Sequence, residues 1–169
     1  MNWLTPVLQK EIKPDWTVLD LGCGLMVPTD GLRCKVLLGV DCYRPYLERL
    51  KDKHVVIQGD LKYCTANFLD RSFDAVLLLE VVEHLELRDA RRLIEEAERI
   101  ARRKVIIYTP SEENWTPQDL DERGLDAWGF PNPHQRHRCR VSRTELERRG
   151  YRVKKIPPDY NLLAVKRVG

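Results

Sequence analysis

The most informative stretch of the chain is Val18-Leu19-Asp20-Leu21-Gly22-Cys23-Gly24, an apolar run that leads into a pair of glycines. Glycines at the carboxyl end of a central strand let a ligand approach the backbone closely. Further short apolar runs follow, and continuous runs of this length are typical of parallel strands that are buried on both faces. The predicted strands are residues 17–21, 36–40, 54–57, 73–79 and 104–108.

Helical patterns separate these strands. The spacing of apolar residues predicts helices over 45–51 and 88–102. Strands that alternate with helices indicate a parallel sheet with right-handed crossovers.

The last part of the chain has a different pattern. Ser142 begins a capping box, and Gly150 ends the short helix that follows it. Two strand-like runs, 151–156 and 162–168, are then separated by a turn too short for a crossover helix, so they pair antiparallel. The predicted fold class is α/β: a Rossmann-like, mostly parallel seven-stranded sheet that ends in an antiparallel hairpin.

The composition is that of one ordinary globular domain, residues 1–169. Hydrophobic residues make up 43% and charged residues 33%, which excludes a disordered tail and a membrane protein. The net charge of +3 is too small to indicate a nucleic-acid partner by itself. Five cysteines without a CxxC pair, and an N-terminus without a secretory pattern, favour a soluble cytoplasmic protein with no membrane partner.

Acidic residues stand at the ends of three successive strands: Asp20, Asp41 and Asp60. Because the carboxyl ends of parallel strands meet at one sheet edge, these carboxylates predict a nucleoside-binding crevice, in which Asp41 binds both ribose hydroxyls. A dinucleotide-binding enzyme is the main alternative. Against it, the glycine loop lacks the third glycine of the G-x-G-x-x-G pattern, and the chain ends in a hairpin.

With these motifs the sequence resembles the class I S-adenosylmethionine-dependent methyltransferases over roughly residues 17 to 110. The segment Phe73-Asp74-Ala75-Val76, together with Glu80-Val81-Val82-Glu83-His84-Leu85, is similar to the fourth motif of that family, which borders cofactor and acceptor. The chain departs from the family after Gly24. Pro28 lies in a short connection to the second strand, so the first helix is predicted to be short or missing.

The resemblance implies S-adenosylmethionine as the cofactor. It places Asp20, Gly22 and Gly24 at the methionine part, Asp41 at the ribose and Asp60 at the adenine amino group. The complete set of implied cofactor-binding residues is Asp20, Gly22, Cys23, Gly24, Asp41, Cys42, Asp60, Leu61 and Glu80.

Candidates for the chemistry follow the fourth strand. Glu80, Glu83 and His84 have the spacing of residues on one side of a helical turn. Methyl transfer requires an aligned acceptor and, for a weak nucleophile, a base. The predicted catalytic residues are His84, Glu83 and His137. In the alternative, Glu83 and His84 only orient the turn and shape the cofactor pocket.

A Glu-x-x-Glu-His segment is also similar to that of small-RNA 3′-end 2′-O-methyltransferases and ubiquinone-pathway O-methyltransferases, which can use a divalent metal there. That resemblance implies His134 or His137 as a further ligand and a metal-activated hydroxyl. The same segment is common in class I methyltransferases that need no metal, so the sequence assigns no metal ligand.

Residues 111–141 are interpreted as an acceptor-side lid or loop, because a long irregular stretch inside a compact domain is typical of a binding loop. Residues 132–140 contain two histidines and three arginines, which either clamp a carboxylate or phosphate or form a solvated basic loop. Trp115, Trp128 and Phe130 either stack on a planar acceptor or pack the lid down.

The sequence therefore predicts methyl transfer to oxygen or nitrogen of a small-molecule acceptor, which is anionic if the arginines of residues 132–140 clamp it. RNA is a less favoured acceptor, as the substrate of a metal-assisted 2′-O-methyltransferase. A non-catalytic cofactor-binding subunit is the remaining alternative. The sequence does not predict the oligomeric state.

Overall fold

A computed structural model describes residues 3–117 and 120–169. Seven strands form one sheet: β1 (Thr17–Leu21), β2 (Val36–Asp41), β3 (Val55–Gln58), β4 (Phe73–Leu79), β5 (Ala101–Thr109), β6 (Arg152–Ile156) and β7 (Asn161–Arg167). Their order across the sheet is β3-β2-β1-β4-β5-β7-β6. The first five strands pair in parallel, and β7 pairs antiparallel with both β5 and β6. The predicted fold class, including the final hairpin, is confirmed.

Four α-helices accompany the sheet: α1 (Thr5–Gln9), α2 (Arg44–Leu50), α3 (Leu87–Ile100) and α4 (Arg143–Arg148). Ser142 caps α4 as predicted, since the Glu145 amide donates to its hydroxyl at 3.1 Å. The reciprocal half of the capping box is not formed, because the Glu145 carboxylate accepts from Arg91 at 2.9 and 3.1 Å instead. The sequence analysis did not predict α1, because its five residues are too few to show a helical period. Within residues 3–117 and 120–169, no helix has both the length and the apolar character that a bilayer crossing requires.

The boundary between α3 and β5 differs from the prediction. The helix ends at Ile100 and the strand begins at Ala101, so Arg102 belongs to the strand. Arg102 and Arg103 extend along β4 and bind one oxygen of Asp74 at 3.3 and 3.0 Å. The pattern of charged and apolar residues would allow the helix to continue through Arg102. The contacts with Asp74 instead stabilise an extended backbone there.

The centre of the sheet is covered on both faces. The helical stripe of α3 is buried as predicted, and α1 covers the opposite face with Leu4 and Leu8. In β4 every residue from Asp74 to Leu79 is buried. Burying one leucine or valine side chain contributes about 1.5–3 kcal/mol, so this packed centre gives the end of β4 a rigid support.

The β2–β3 side of the sheet is covered less. The connections before β2 and after β3 contain only 3₁₀ turns, Val27–Thr29 and Cys64–Asn67, instead of α-helices. Val55 and Ile57 consequently remain 64% and 47% exposed. The predicted short first helix is confirmed in this form, with Pro28 inside the turn.

Candidate active site

A cavity of about 500 Å³ lies at the carboxyl ends of β1, β2 and β4. All nine predicted cofactor-binding residues line it, from Asp20 on β1 to Glu80 after β4. Of the predicted catalytic residues, His84 lines the same cavity. The structure thus brings the cofactor set together in one place.

The glycine loop brings the backbone close to β2 and to the turn after β4. The amides of Gly22 and Cys23 both donate to the Val40 carbonyl, at 2.8 and 3.0 Å. Gly22 has φ +77°, and a Cβ there would lie 2.2 Å from a methyl group of Val81. Only glycine satisfies both the backbone conformation and the close approach.

Asp41 fixes the loop from the neighbouring strand. One carboxylate oxygen accepts from the Gly24 amide and the other from the Tyr43 amide, each at 2.8 Å. Burial raises the pKa of Asp41, although these two amides and the nearby His134 act in the opposite direction. The carboxylate therefore joins the two turns that form the centre of the cavity.

Asp20 is a buried carboxylate that the protein satisfies on one side only. It is 1% exposed, and Thr29 donates to one of its oxygens at 3.2 Å. The other oxygen is buried without a hydrogen-bond partner. Burial, with a smaller contribution from Asp41, raises the pKa of Asp20 to about 7. A buried acceptor of this kind suits a cationic donor on a ligand.

Asp60 and Cys42, two further predicted cofactor-binding residues, are less buried than Asp20. Asp60 is exposed and accepts from the Lys62 amide at 2.9 Å, next to the buried Leu61. Burial raises the pKa of the Cys42 thiol to about 11, so Cys42 contributes a neutral thiol to the cavity wall.

Glu80 and Glu83 meet, but not on the helical turn that their spacing predicts. Glu80 has φ +52° directly after β4, and a 3₁₀ turn, Val82–His84, follows it. Their carboxyl groups lie side by side, and Thr109 donates to Glu83 at 3.0 Å. Burial and the adjacent Glu83 raise the pKa of Glu80 well above its usual range. The proximity of Glu83 therefore favours the protonated form of Glu80.

His137 reaches this pair from the lid. Its ring centroid lies 5.0 Å from that of His84, and Trp115 stacks on its other side at 6.2 Å. Nδ1 of His137 is 2.8 Å from the Thr116 carbonyl. The amides of Arg138 and Cys139 donate to the Glu83 carbonyl at 2.7 and 3.2 Å, which attaches the lid to the fourth motif.

A metal-binding arrangement exists in the described residues. Ligand atoms of Glu83, His84 and His137 all lie within 4.8 Å of one another. Oε1 of Glu83 and Nδ1 of His84 are buried without hydrogen-bond partners, as free coordination positions would be. The residues present thus fit a divalent cation. His134, the other proposed ligand, does not belong to this cluster and instead lies near Asp41.

The middle of the lid packs against α2. Asp126 accepts a hydrogen bond from the Tyr46 hydroxyl and, at 2.9 Å, from the Phe130 amide. Phe130 packs edge-on against Tyr46, with centroids 5.1 Å apart. Of the three lid aromatics, Trp115 and Phe130 pack the lid down, and Trp128 is 52% exposed at the cavity. Gln118 and Asp119 of the predicted lid lie outside the described residues.

The sequence analysis missed the support that β7 and its turn provide. Asn161 donates to Glu80 at 3.3 Å and accepts from the Asn114 side chain at 2.9 Å. Tyr108 donates to Asp159 at 2.5 Å beside this pair. A short polar turn before a strand carries no local signal of such a role. Only the adjacency of β7 to β5 brings Asn161 to the site.

Residues 19–109, more than half of the chain, match the sequence model of the methyltransferase domain family. The chain belongs to this methyltransferase family. No curated protein sequence matches it. Together with the sheet order, the family match confirms the predicted class I S-adenosylmethionine-dependent methyltransferase and removes the support for a dinucleotide-binding enzyme.

Solved structures of other proteins have the same fold as this methyltransferase. PH0226 protein from Pyrococcus horikoshii OT3 is 21% identical over 98% of this chain and 88% of its own, with a TM-score of 0.68. Magnesium protoporphyrin IX methyltransferase ChlM from Synechocystis PCC 6803, with bound SAH, is 16% identical over 98% and 80%, with a TM-score of 0.67. The methyltransferase domain of the bacterial protein CtHen1-C is 21% identical over 98% and 95%, with a TM-score of 0.66.

Proposed function

We propose that this methyltransferase transfers the methyl group of S-adenosylmethionine to a hydroxyl oxygen of a small anionic acceptor. The observation that carries the proposal is the position of His84 at the rim of the cofactor cavity, with its Nδ1 buried and without a partner. A hydroxyl must lose its proton as it attacks, whereas a neutral amine attacks with its lone pair. A base at this position therefore favours oxygen over nitrogen.

The cofactor cavity has a separate group for each part of S-adenosylmethionine. The unpartnered oxygen of Asp20 accepts from the α-ammonium group, and the carboxylate of Asp41 accepts from the ribose hydroxyls. Asp60, exposed at the end of β3, accepts from the adenine amino group. When bound, S-adenosylmethionine supplies an electrophilic methyl group on its sulfonium sulfur.

The residues after β4 align the acceptor and handle its proton. The acceptor oxygen forms the new C–O bond as the C–S bond breaks, and the sulfur retains the electron pair. His84 takes the proton of the hydroxyl, and the adjacent Glu83 stabilises the positive imidazolium that results. The lid contact through His137 and Trp115 keeps water away from this position.

The rim of the cavity supports an anionic acceptor. Arg138 and Lys62 line it, and their side chains are 47% and 39% exposed. Arg138 is held by Glu86 only at 3.4 Å in a solvated position, which leaves its guanidinium free to bind a carboxylate. Trp128 adds an exposed aromatic face beside them.

A methyl-transfer assay with radiolabelled S-adenosylmethionine and a panel of hydroxylated carboxylic acids and phenols tests this function. Product formation by the wild-type protein and its loss in Arg138→Ala with unchanged binding of S-adenosylhomocysteine support an anionic hydroxyl acceptor. Cofactor binding without turnover on any acceptor contradicts the enzyme and favours a non-catalytic cofactor-binding subunit.

A second candidate is metal-assisted methylation of an RNA 2′-hydroxyl. The specific observation in its favour is the Glu83, His84 and His137 cluster with its two unpartnered ligand atoms. A bound cation would lower the pKa of the acceptor hydroxyl and replace His84 as the activating group. Mixed imidazole and carboxylate ligands suit Mn²⁺, Fe²⁺ or Zn²⁺ better than Mg²⁺.

Titration with Mn²⁺ after EDTA treatment separates the two candidates. A metal-assisted enzyme binds Mn²⁺ and loses that binding in His137→Ala but not in His134→Ala. His134→Ala is the matched control, because it removes a histidine of the same loop that lies outside the cluster. Turnover that EDTA does not change rules out the metal-assisted mechanism and leaves His84 as the base.

A further inference from the structure

A second cavity lies at the opposite ends of the strands, near the amino-terminal ends of β1 and β5. It has a volume of about 560 Å³ and is lined by residues 9–14, Trp16, Arg33, Arg103, Lys104 and Arg167, which we call the basic pocket. Lys104 lies in the first half of β5, level with Val18 near the start of β1, whereas the candidate active site lies at the other end of these strands. From Lys104 to Thr109 the distance along the strand is roughly 17 Å.

Basic residues greatly outnumber acidic residues in the lining of the basic pocket. Six of its lining residues are basic, and Glu11 is its single acidic lining residue among those described. Glu11 is already bound by Lys104 at 2.8 Å and by Arg152 at 3.1 Å. Arg103 is bound by Asp74 at 3.0 Å. Within residues 3–117 and 120–169, the other four cations have no ion-pair partner: Lys10, Lys13, Arg33 and Arg167.

The walls of the basic pocket are fixed before any ligand arrives. Gln9 donates to the Arg33 carbonyl at 3.1 Å and accepts from the Arg33 amide at 2.8 Å, which ties the end of α1 to the loop before β2. Lys104 also donates to the Glu11 carbonyl at 2.9 Å. The four unpartnered cations therefore stand on a rigid frame, and their mutual repulsion is relieved only by an anion.

The buried indole of Trp16 limits the kinds of contact that the basic pocket can make with a ligand. Trp16 is 7% exposed, and Arg103 and Lys104 lie 5.7 and 5.6 Å from its ring. Its ring is thus no platform for stacking a base or another flat ligand. Recognition is left to point charges and guanidinium forks, which together suit phosphate oxygens.

We propose that the basic pocket binds a ligand that carries two or more phosphate groups. Four cations around one cavity of this volume match several negative charges better than a single carboxylate. The phosphates come either from a soluble polyphosphate or from the backbone of an oligoribonucleotide. The site is separate from the cofactor cavity and does not depend on which acceptor the enzyme methylates.

Binding of sodium tripolyphosphate and of a fluorescein-labelled 15-mer of uridylate tests the proposal. The pocket variant is Lys13→Glu with Arg33→Glu, and both side chains are exposed. The matched control is Arg88→Glu with Arg92→Glu, which makes the same charge change on the exposed face of α3. Binding of S-adenosylhomocysteine by all three proteins shows that they are folded.

We expect the wild type and the α3 control to bind tripolyphosphate, and the pocket variant to bind it at least about 10-fold more weakly. If the 15-mer shows the same dependence, with a salt slope reduced by roughly 0.7 per lost contact, the source is a nucleic-acid backbone. If only tripolyphosphate does so, the source is a soluble polyphosphate. No binding by the wild type, or equal losses in the two variants, overturns the proposal.

Discussion

The candidate active site has two halves, a cofactor half and an acceptor half, which are held together by different kinds of contacts. In the cofactor half, Asp20, Asp41 and Asp60 each stand at the end of a separate strand, and backbone amides bind Asp41 and Asp60. In the acceptor half, Glu83 lies beside Glu80 and raises its pKa, and residues from β5, β7 and the lid complete the site. The cofactor half is assembled by local turns, whereas the acceptor half exists only when the whole sheet is formed.

The largest effect is expected in the acceptor half, where one side chain handles the proton. Replacing His84 with Gln removes the base and is expected to lower kcat by about 100- to 10,000-fold. Affinity for S-adenosylhomocysteine should remain unchanged, because Asp20, Asp41 and Asp60 hold their hydrogen bonds without His84. His54→Gln, in the turn before β3, is the control. Equal kcat in His84→Gln and wild type would show that the histidine only shapes the pocket.

In the cofactor half, Asp41→Ala is expected to weaken S-adenosylhomocysteine binding by about 100-fold, since two charge-assisted hydrogen bonds to the ribose are lost. Calorimetric titration measures this loss. Asp52→Ala, at an exposed site beyond α2, serves as the control. Asp41→Asn distinguishes charge from scaffolding, because its side-chain oxygen still accepts from one loop amide. Unaltered affinity in both Asp41 variants would remove Asp41 from the cofactor site.

The residue that joins the acceptor half to β7 gives an intermediate effect. Asn161→Asp replaces the donor to Glu80 with a third carboxylate, which raises the pKa of Glu80 further. We expect kcat to fall by about 10-fold and the acidic limb of its pH profile to move to higher pH. Asn161→Ser should lower kcat without that movement. An unshifted profile in Asn161→Asp would mean that Asn161 acts on the lid alone, and Asn67→Asp controls for the added charge.

An effect of similar size is expected from pH within the cofactor half. Because the pKa of Asp20 is raised to about 7, the free protein holds a proton that a cationic ligand must displace. Affinity for S-adenosylhomocysteine should therefore increase by about 10-fold between pH 6 and pH 8. Asp20→Asn should bind weakly at both pH values, with no such increase. A wild-type affinity that is flat across this range would show that the ammonium group lies elsewhere.

The same proton also affects the stability of the free protein. The ordinary pKa of an aspartate is near 3.8, so between about pH 4 and pH 7 folded Asp20 binds a proton that the unfolded chain has lost. This contribution to the free energy of unfolding therefore decreases as the pH rises through that range. Asp20→Asn should lack the decrease, which urea denaturation at pH 5 and pH 7.5 measures.

The contrast between the halves also explains what the sequence could predict. A strand, a glycine turn and an aspartate are adjacent in the chain, so Asp20, Asp41 and Asp60 could be located from local pattern alone. The spacing of Glu80 and Glu83 predicted their proximity but not its cause, since the left-handed backbone at Glu80 has no sequence signature in a non-glycine residue. Asn161 could not be predicted at all, because its role depends on strand pairing across the sheet.

His137 shows how far the sequence can predict which lid residues reach the site. Its residue type made it a candidate metal ligand, together with His134, but no local pattern distinguishes the two histidines. The choice depends on where the chain crosses Glu83, through the amides of Arg138 and Cys139. Such contacts are set by the packing of a long irregular segment, for which no periodic pattern exists.

The thin covering of β2 and β3 has a consequence for amide hydrogen exchange. Few buried side chains hold this part of the sheet, so it should open locally at a lower free energy than the β4–β5–β7 centre, and its amides should exchange faster. Asp41 and Asp60 lie at the ends of these two strands, so a bound nucleoside would cross-link the weakly held strands to β1. The cofactor would then complete the fold of the domain as well as its chemistry, and its binding would slow exchange most in the region that is least protected without it.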